Sequence, residues 1–212
     1  MSATLGPVLW SLVLAAAARP VAAPPPGKVF LTQQEALDLA FEGCAVERCT
    51  NYLTDAERSR AGKLSGEECE TSVVFAYVAR KDGRVTGTAY FDAHAVRTQR
   101  EVLMIVVAPA GTIARIEVLA FAEPQEYLGR PAFYQQFVGK PLDAELRLKS
   151  SIRGVVGATL TARATTQAAR RVLALHQVLG ERASPAPARR IESSPPRSAG
   201  EPSAGEPSRS RP

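Results

Sequence analysis

The chain has 212 residues, of which 45% are hydrophobic, and its 26 Lys and Arg against 21 Asp and Glu leave a formal charge of +5. That length suits one ordinary domain with flanking segments and excludes two large ones. The basic residues are scattered among acids, with no basic stripe interleaved with aromatics, which argues against nucleic-acid binding.

Residues 6–18 form a short apolar run, followed by small residues and then Pro24-Pro25-Pro26. We read residues 1–23 as an export signal or N-terminal anchor, too short to span a bilayer comfortably, so the chain is expected in the periplasm or another extracytoplasmic compartment. Residues 27–71 are expected to form an N-terminal helical segment. Thr32-Gln33-Gln34-Glu35 fits a capping box and is followed by Leu37, Ala40, Phe41 and Cys44 at helical spacing. A second box, Thr54-Asp55-Ala56-Glu57, opens a shorter polar helix expected to fade by Gly62.

From Ser72 the pattern changes to strands. Val73–Val78 and Val85–Phe91 flank Lys81-Asp82-Gly83-Arg84, whose Asp-Gly supports a tight hairpin turn. Val102–Val107 and Ile113–Leu119 flank Pro109-Ala110-Gly111 in the same way. Two hairpins in succession, with helices before and after, predict an α+β domain over residues 72–180 built on an antiparallel sheet. A loop from Glu123 to Arg130 and a short helix between Pro131 and Gly139 come next. The closing helix, about 162–179, puts Ala168, Val172, Leu175 and Leu179 on one face and has Gly180 as its natural stop. Residues 181–212, rich in Pro, Ser, Arg and Gly, cannot bury enough apolar surface to offset ordering entropy and are read as disordered.

Few residue types here can do chemistry alone. His94 and His176 are the only histidines, separated by the whole sheet and without a Ser or Cys nucleophile motif; His94 is expected in a loop after the second strand and His176 on the last helix. Phosphate-binding loops of ATP and dinucleotide folds are missing from the sequence. Cys44, Cys49 and Cys69 lack C-x-x-C spacing, which argues against zinc or c-type haem and nominates no metal ligands. In an exported chain Cys44 or Cys49 is a candidate to pair with Cys69; the alternative is unpaired thiols.

Two segments stand out. Glu123-Pro124-Gln125-Glu126-Tyr127 places two carboxylates and a phenol in a loop after a predicted buried strand. Gly154-Val155-Val156-Gly157-Ala158-Thr159-Leu160-Thr161 sets small residues and hydroxyls at a helix start, where unpaired N–H groups attract phosphate. Taken in order with the hairpins and Gln136-Phe137-Val138-Gly139-Lys140, this set resembles the FMN-binding domain of extracytoplasmic electron-transport proteins, also found in subunits of Na⁺-translocating NADH:quinone reductase and Rnf-type complexes. The likeness runs from about Ser72 to Leu179.

That resemblance implies FMN as cofactor, with Gly157, Ala158 and Thr159 matching the end of the family's Asp-x-x-[Ser/Thr]-Gly-Ala-Thr signature and Thr159 taking the flavin phosphate as an ester. Arg153 and Val156 stand where that signature has Asp and Ser or Thr. It further implies flavin-side positions at Glu123 and Glu126, phosphate contacts from Leu160, Thr161 and either Arg153 or Arg163, and a ring wall from Tyr127, Phe133 and Tyr134. An ApbE-type flavin transferase would attach the group, because a Thr hydroxyl without an adjacent base is a poor nucleophile. The implied role is a redox carrier exchanging electrons with a membrane redox complex or other periplasmic carriers, rather than a stand-alone enzyme. The competing readings are a non-redox binding or assembly module that has lost flavin, and a reductase holding FMN without a covalent bond.

Overall fold

The computed structural model describes residues 28–183. The leader expected over 1–23 and the tail beyond residue 183 lie outside the described residues. The chain runs β1 (Lys28–Val29), α1 (Gln33–Ala40), β2 (Ala45–Tyr52), α2 (Asp55–Ser65), β3 (Val73–Lys81), β4 (Arg84–Ala95), β5 (Arg100–Val107), β6 (Ile113–Phe121), α3 (Pro131–Gln135) and α4 (Thr159–Ala183). All six strands join one antiparallel sheet in the order β1-β6-β5-β4-β3-β2.

Local signals account for many of the boundaries. Thr32 and Thr54 both form complete capping boxes with Glu35 and Glu57, starting α1 and α2. Asp82 and Gly83 both adopt positive φ, 50° and 76°, the conformation a two-residue hairpin turn of this twist requires. Pro131 occupies the first turn of α3, where a missing N–H costs nothing.

The sheet is covered on both faces. Leu103, Ile105 and Val107 of β5 point into the core beneath α3 and α4, whereas Met104 and Val106 point to the opposite face, under Leu37 and Phe41 at the end of α1. This two-sided burial explains why β5 reads as a continuous apolar run instead of an alternating one. On α4 the buried positions Thr161, Thr165, Ala168, Ala169, Val172 and Leu173 recur at helical spacing and lie toward the sheet.

Four expectations are corrected. Residues 27–71 are not purely helical, because Ala45–Tyr52 pairs along its length with β3 as an edge strand. Its side chains are mostly exposed, so no apolar alternation marks it. β4 continues to Ala95, which puts His94 in a strand rather than a loop. α4 starts at Thr159 and passes Gly180 to Ala183, held by ion pairs from α2: Arg60 to Glu181 at 2.7 Å, and Arg182 to Glu57. Finally, α2 runs to Ser65 and is stopped by Gly66, not Gly62. Cys44, Cys49 and Cys69 are all free thiols. No helix among the described residues is long and apolar enough to cross a membrane.

Candidate functional site

In an antiparallel pair the start of one strand lies beside the end of its neighbour, and here Glu101 at the start of β5 faces Phe121 at the end of β6. The β4–β5 turn, residues 96–99, is therefore beside the chain leaving β6. The N-terminus of α4 completes this end of the sheet. Between the three lies a cleft of about 220 Å³ lined by Val96 and Arg97, Glu123 and Tyr127, and Gly157 through Thr161.

Two hydrogen-bond sets hold the walls together. Glu123 Oε1 accepts the backbone N–H of Thr98 at 2.7 Å, that of Gln99 at 2.9 Å, and the Thr98 hydroxyl at 3.3 Å. These donors, the Thr98 N–H foremost, keep its carboxyl below the usual carboxylate range. On the other side the Thr161 hydroxyl, almost fully buried, donates to the Tyr127 carbonyl at 2.6 Å and ties the loop to α4.

The start of α4 differs from that of the two capped helices. The Ala158 N–H donates to the Val155 carbonyl at 3.1 Å, Gly157 takes φ +82°, and the first helical bond runs from the Ala162 N–H to the Ala158 carbonyl at 3.0 Å. A residue with a Cβ is strained at that φ, so the glycine sets the angle at which the chain enters the helix. Ala158 then occupies the capping position without a side-chain acceptor. The N–H groups of Thr159, Leu160 and Thr161 meet no acceptor among the described residues. Three donors at the positive end of a 25-residue helix, with an exposed Thr159 hydroxyl beside them and Arg97 across the cleft, fit a phosphate group. At about 220 Å³ the cleft is smaller than the ~300–1,000 Å³ typical of ligand sites, so it suits the phosphate end of a larger molecule. Apolar surface for the remainder is available at the rim, where Val156 is fully exposed and Leu160 half exposed.

Seven of the nine residues nominated from sequence meet here: Gly157, Ala158, Thr159, Leu160, Thr161, Glu123 and Tyr127. Two do not. Glu126 is exposed and outside the lining. It sits in a 3-10 turn, Gln125–Tyr127, where successive side chains are about 120° apart, so Glu126 and Tyr127 cannot both face the cleft. Arg153 is also exposed and elsewhere; its backbone N–H and carbonyl are clasped by the Gln136 side-chain amide at 2.8 and 3.2 Å. Arg163 lines a separate cleft with Arg147 and Arg170. Phe133 and Tyr134 are buried core residues. Glu123 lines the cleft with its Oε1 engaged by the 96–99 turn. Val96 and Arg97 were missed. Pairing the ends of β4, β5 and β6 would have placed their turn beside Glu123, had β4 been read to its full length.

The histidines lie under the helical layer. The Tyr90 hydroxyl and His176 Nδ1 are 2.9 Å apart, and burial pushes the His176 pKa down. His94 lies among buried acids described below. Among the described residues no group of three or more His, Cys, Asp or Glu side chains is arranged to hold a metal ion.

The model of the FMN-binding domain family matches residues 99–174, a span that includes the β6 loop, the Gly157–Thr161 segment and most of α4. A comparison with curated proteins found no match.

Proposed function

We propose, from the match of residues 99–174 to the FMN-binding domain family and the FMN cofactor that this match indicates, that the protein is an extracytoplasmic electron carrier with FMN linked through its phosphate to Thr159. The observation that carries this reading is the uncapped start of α4. Three N–H donors and an exposed hydroxyl converge there, whereas in α1 and α2 the capping Thr side chain takes the third-position N–H and a Glu carboxylate closes the box. The main-chain donors of Thr159 to Thr161 bind phosphate oxygens, and Arg97 adds a charge-assisted contact. Glu123 keeps the Arg97 turn in place, and Thr161 holds Tyr127 against the helix as one wall for the ring system. Bound FMN supplies the one- and two-electron chemistry.

Attachment falls to a separate flavin transferase of the ApbE type, since no general base contacts the Thr159 hydroxyl among the described residues. The departure from the family signature at 153 falls outside the cleft. It leaves the phosphate-facing groups as they are. Membrane redox complexes or other periplasmic carriers are the partners this role calls for, and the composition of residues 1–23 supports export.

The test is co-expression with a flavin transferase, followed by denaturing electrophoresis. A fluorescent band in the parent chain and none in Thr159→Ala is the expected result. Yellow colour that separates from the denatured chain selects a non-covalent FMN reductase, and a colourless protein selects a module without flavin.

A further inference from the structure

One turn below the cleft lies a set of ionisable groups that holding FMN does not use. His94 faces Glu101 directly across the β4–β5 ladder, and Asp92 shares its face of the sheet. His94 Nδ1 is 2.7 Å from Asp92 Oδ1, and Nε2 is 3.0 Å from Glu101 Oε2. An ionised carboxylate only accepts, so an imidazole between two of them must carry both protons. With both acids ionised His94 is thus an imidazolium, its side chain only 10% exposed.

The acids are bound on every other side. Glu101, completely buried, also accepts from the Thr165 hydroxyl of α4 and the Tyr134 hydroxyl of α3, each at 3.3 Å. Asp92 takes two bonds from Arg171 of α4, at 2.9 and 3.3 Å, and Arg171 reaches Glu67 beyond α2 at 2.6 Å. Glu68, Cys69 and Glu70 complete the groups around the outer end, where Asp92, His94 and Arg171 line a second cleft of about 360 Å³.

The inner end reaches the FMN cleft by three routes. Thr165 is four residues from Thr161, or about 6 Å along the helix. Tyr134 packs against Gly129, in the loop that carries Tyr127; a Cβ at 129 would stand 3.0 Å from its ring. Val96 of the cleft wall is two residues from His94.

Resting on the reading of the cleft as the seat of FMN, we infer that His94, clamped between Asp92 and Glu101, is a positioning residue that holds a proton coupled to negative charge in that cleft. The coupling is electrostatic and reciprocal: a buried cation linked through Glu101 and Tyr134 to the loop that carries the Tyr127 ring wall favours added electrons, and added electrons tighten the hold on the proton. A one-electron donor outside the protein supplies the electron. Where His94 has lost a proton, at alkaline pH, reduction draws one back to its imidazole from solvent in the outer cleft; below that range His94 already carries both protons and none is taken up, and no bond forms between the protein and the donor.

The experiment uses the FMN-loaded full chain between pH 6 and 10.5, with His94 followed by ¹⁵N NMR in the oxidised and reduced states and the midpoint potential measured for the parent and His94→Gln. At pH 7 the reduced-to-oxidised ratio at fixed applied potential is expected to fall about fivefold in His94→Gln. By reciprocity the His94 titration in the parent moves up on reduction by the same factor, about 0.7 of a pH unit. A purely structural histidine would titrate at the same pH in both redox states, and that result overturns the inference even if His94→Gln does not fold. A chain that takes up no FMN overturns the cleft reading and this one together; a chain that loads FMN and leaves the His94 titration unmoved overturns this one alone.

Discussion

The clearest consequence of the buried His94 is a loss of folding stability in mildly alkaline solution. Burial by itself would lower the pKa of this imidazole, but hydrogen bonds to Asp92 and Glu101 and the charge of both acids outweigh burial and raise it from 6.5 to about 9. A group whose folded pKa lies above its unfolded value stabilises the fold fully below the unfolded value, and that contribution disappears as pH rises through the folded one. With each pKa unit worth about 1.4 kcal/mol, the contribution is on the order of 3 kcal/mol at pH 6 and nearly gone by pH 9.5. Urea unfolding at half-unit steps from pH 6 to 9.5 measures it. The free energy should fall with a slope approaching ~1.4 kcal/mol per pH unit in the middle of the range, and His94→Gln should flatten that slope while lowering stability at pH 6. Cys69, whose thiol is pushed up by burial, acts mainly above the ordinary thiol range. His176, lowered by burial, acts only as pH drops below the ordinary imidazole range and with the opposite sign. A parent protein equally stable at pH 6.5 and 9, or an undiminished slope in His94→Gln, would refute the assignment of the proton to His94.

Other substitutions separate the roles in the cleft. Glu123→Ala removes the acceptor shared by Thr98 and Gln99 and should cost about 1–3 kcal/mol in urea unfolding; a neutral result would mean that the 96–99 turn holds without it. Arg97→Ala leaves those bonds alone and should weaken the affinity of flavin-free protein for FMN by about tenfold, read by fluorescence quenching, with unchanged stability. An affinity that stays the same would place Arg97 outside phosphate binding. Gly157→Ala, at φ +82°, should lose about 1 kcal/mol and lower FMN affinity by misdirecting the first turn of α4. Unaltered binding would show that the entry angle does not set the phosphate contacts.

Features that depend on near neighbours in the chain were legible before any fold was known. The capping boxes at Thr32 and Thr54, the positive-φ pair Asp82-Gly83 and the central strands follow from hydrogen bonds and side-chain spacing within a few residues. The resemblance carried by Gly157-Ala158-Thr159 likewise pointed to FMN, and seven of the nine nominated residues do line one cleft. Tertiary structure alone decided the rest. β2 is a strand because β3 offers it a ladder, not because its own residues alternate. Polar residues at the end of β4 looked like a loop, yet Asp92 and His94 lie in the sheet because Glu101 and Arg171 satisfy their charges from β5 and α4. Arg97 reaches the cleft, and Glu123 Oε1 is engaged by the 96–99 turn, through contacts between segments some 25 residues apart. Local periodicity reports which face of an element is apolar; it cannot report which polar groups will be buried, since that requires partners supplied by distant strands.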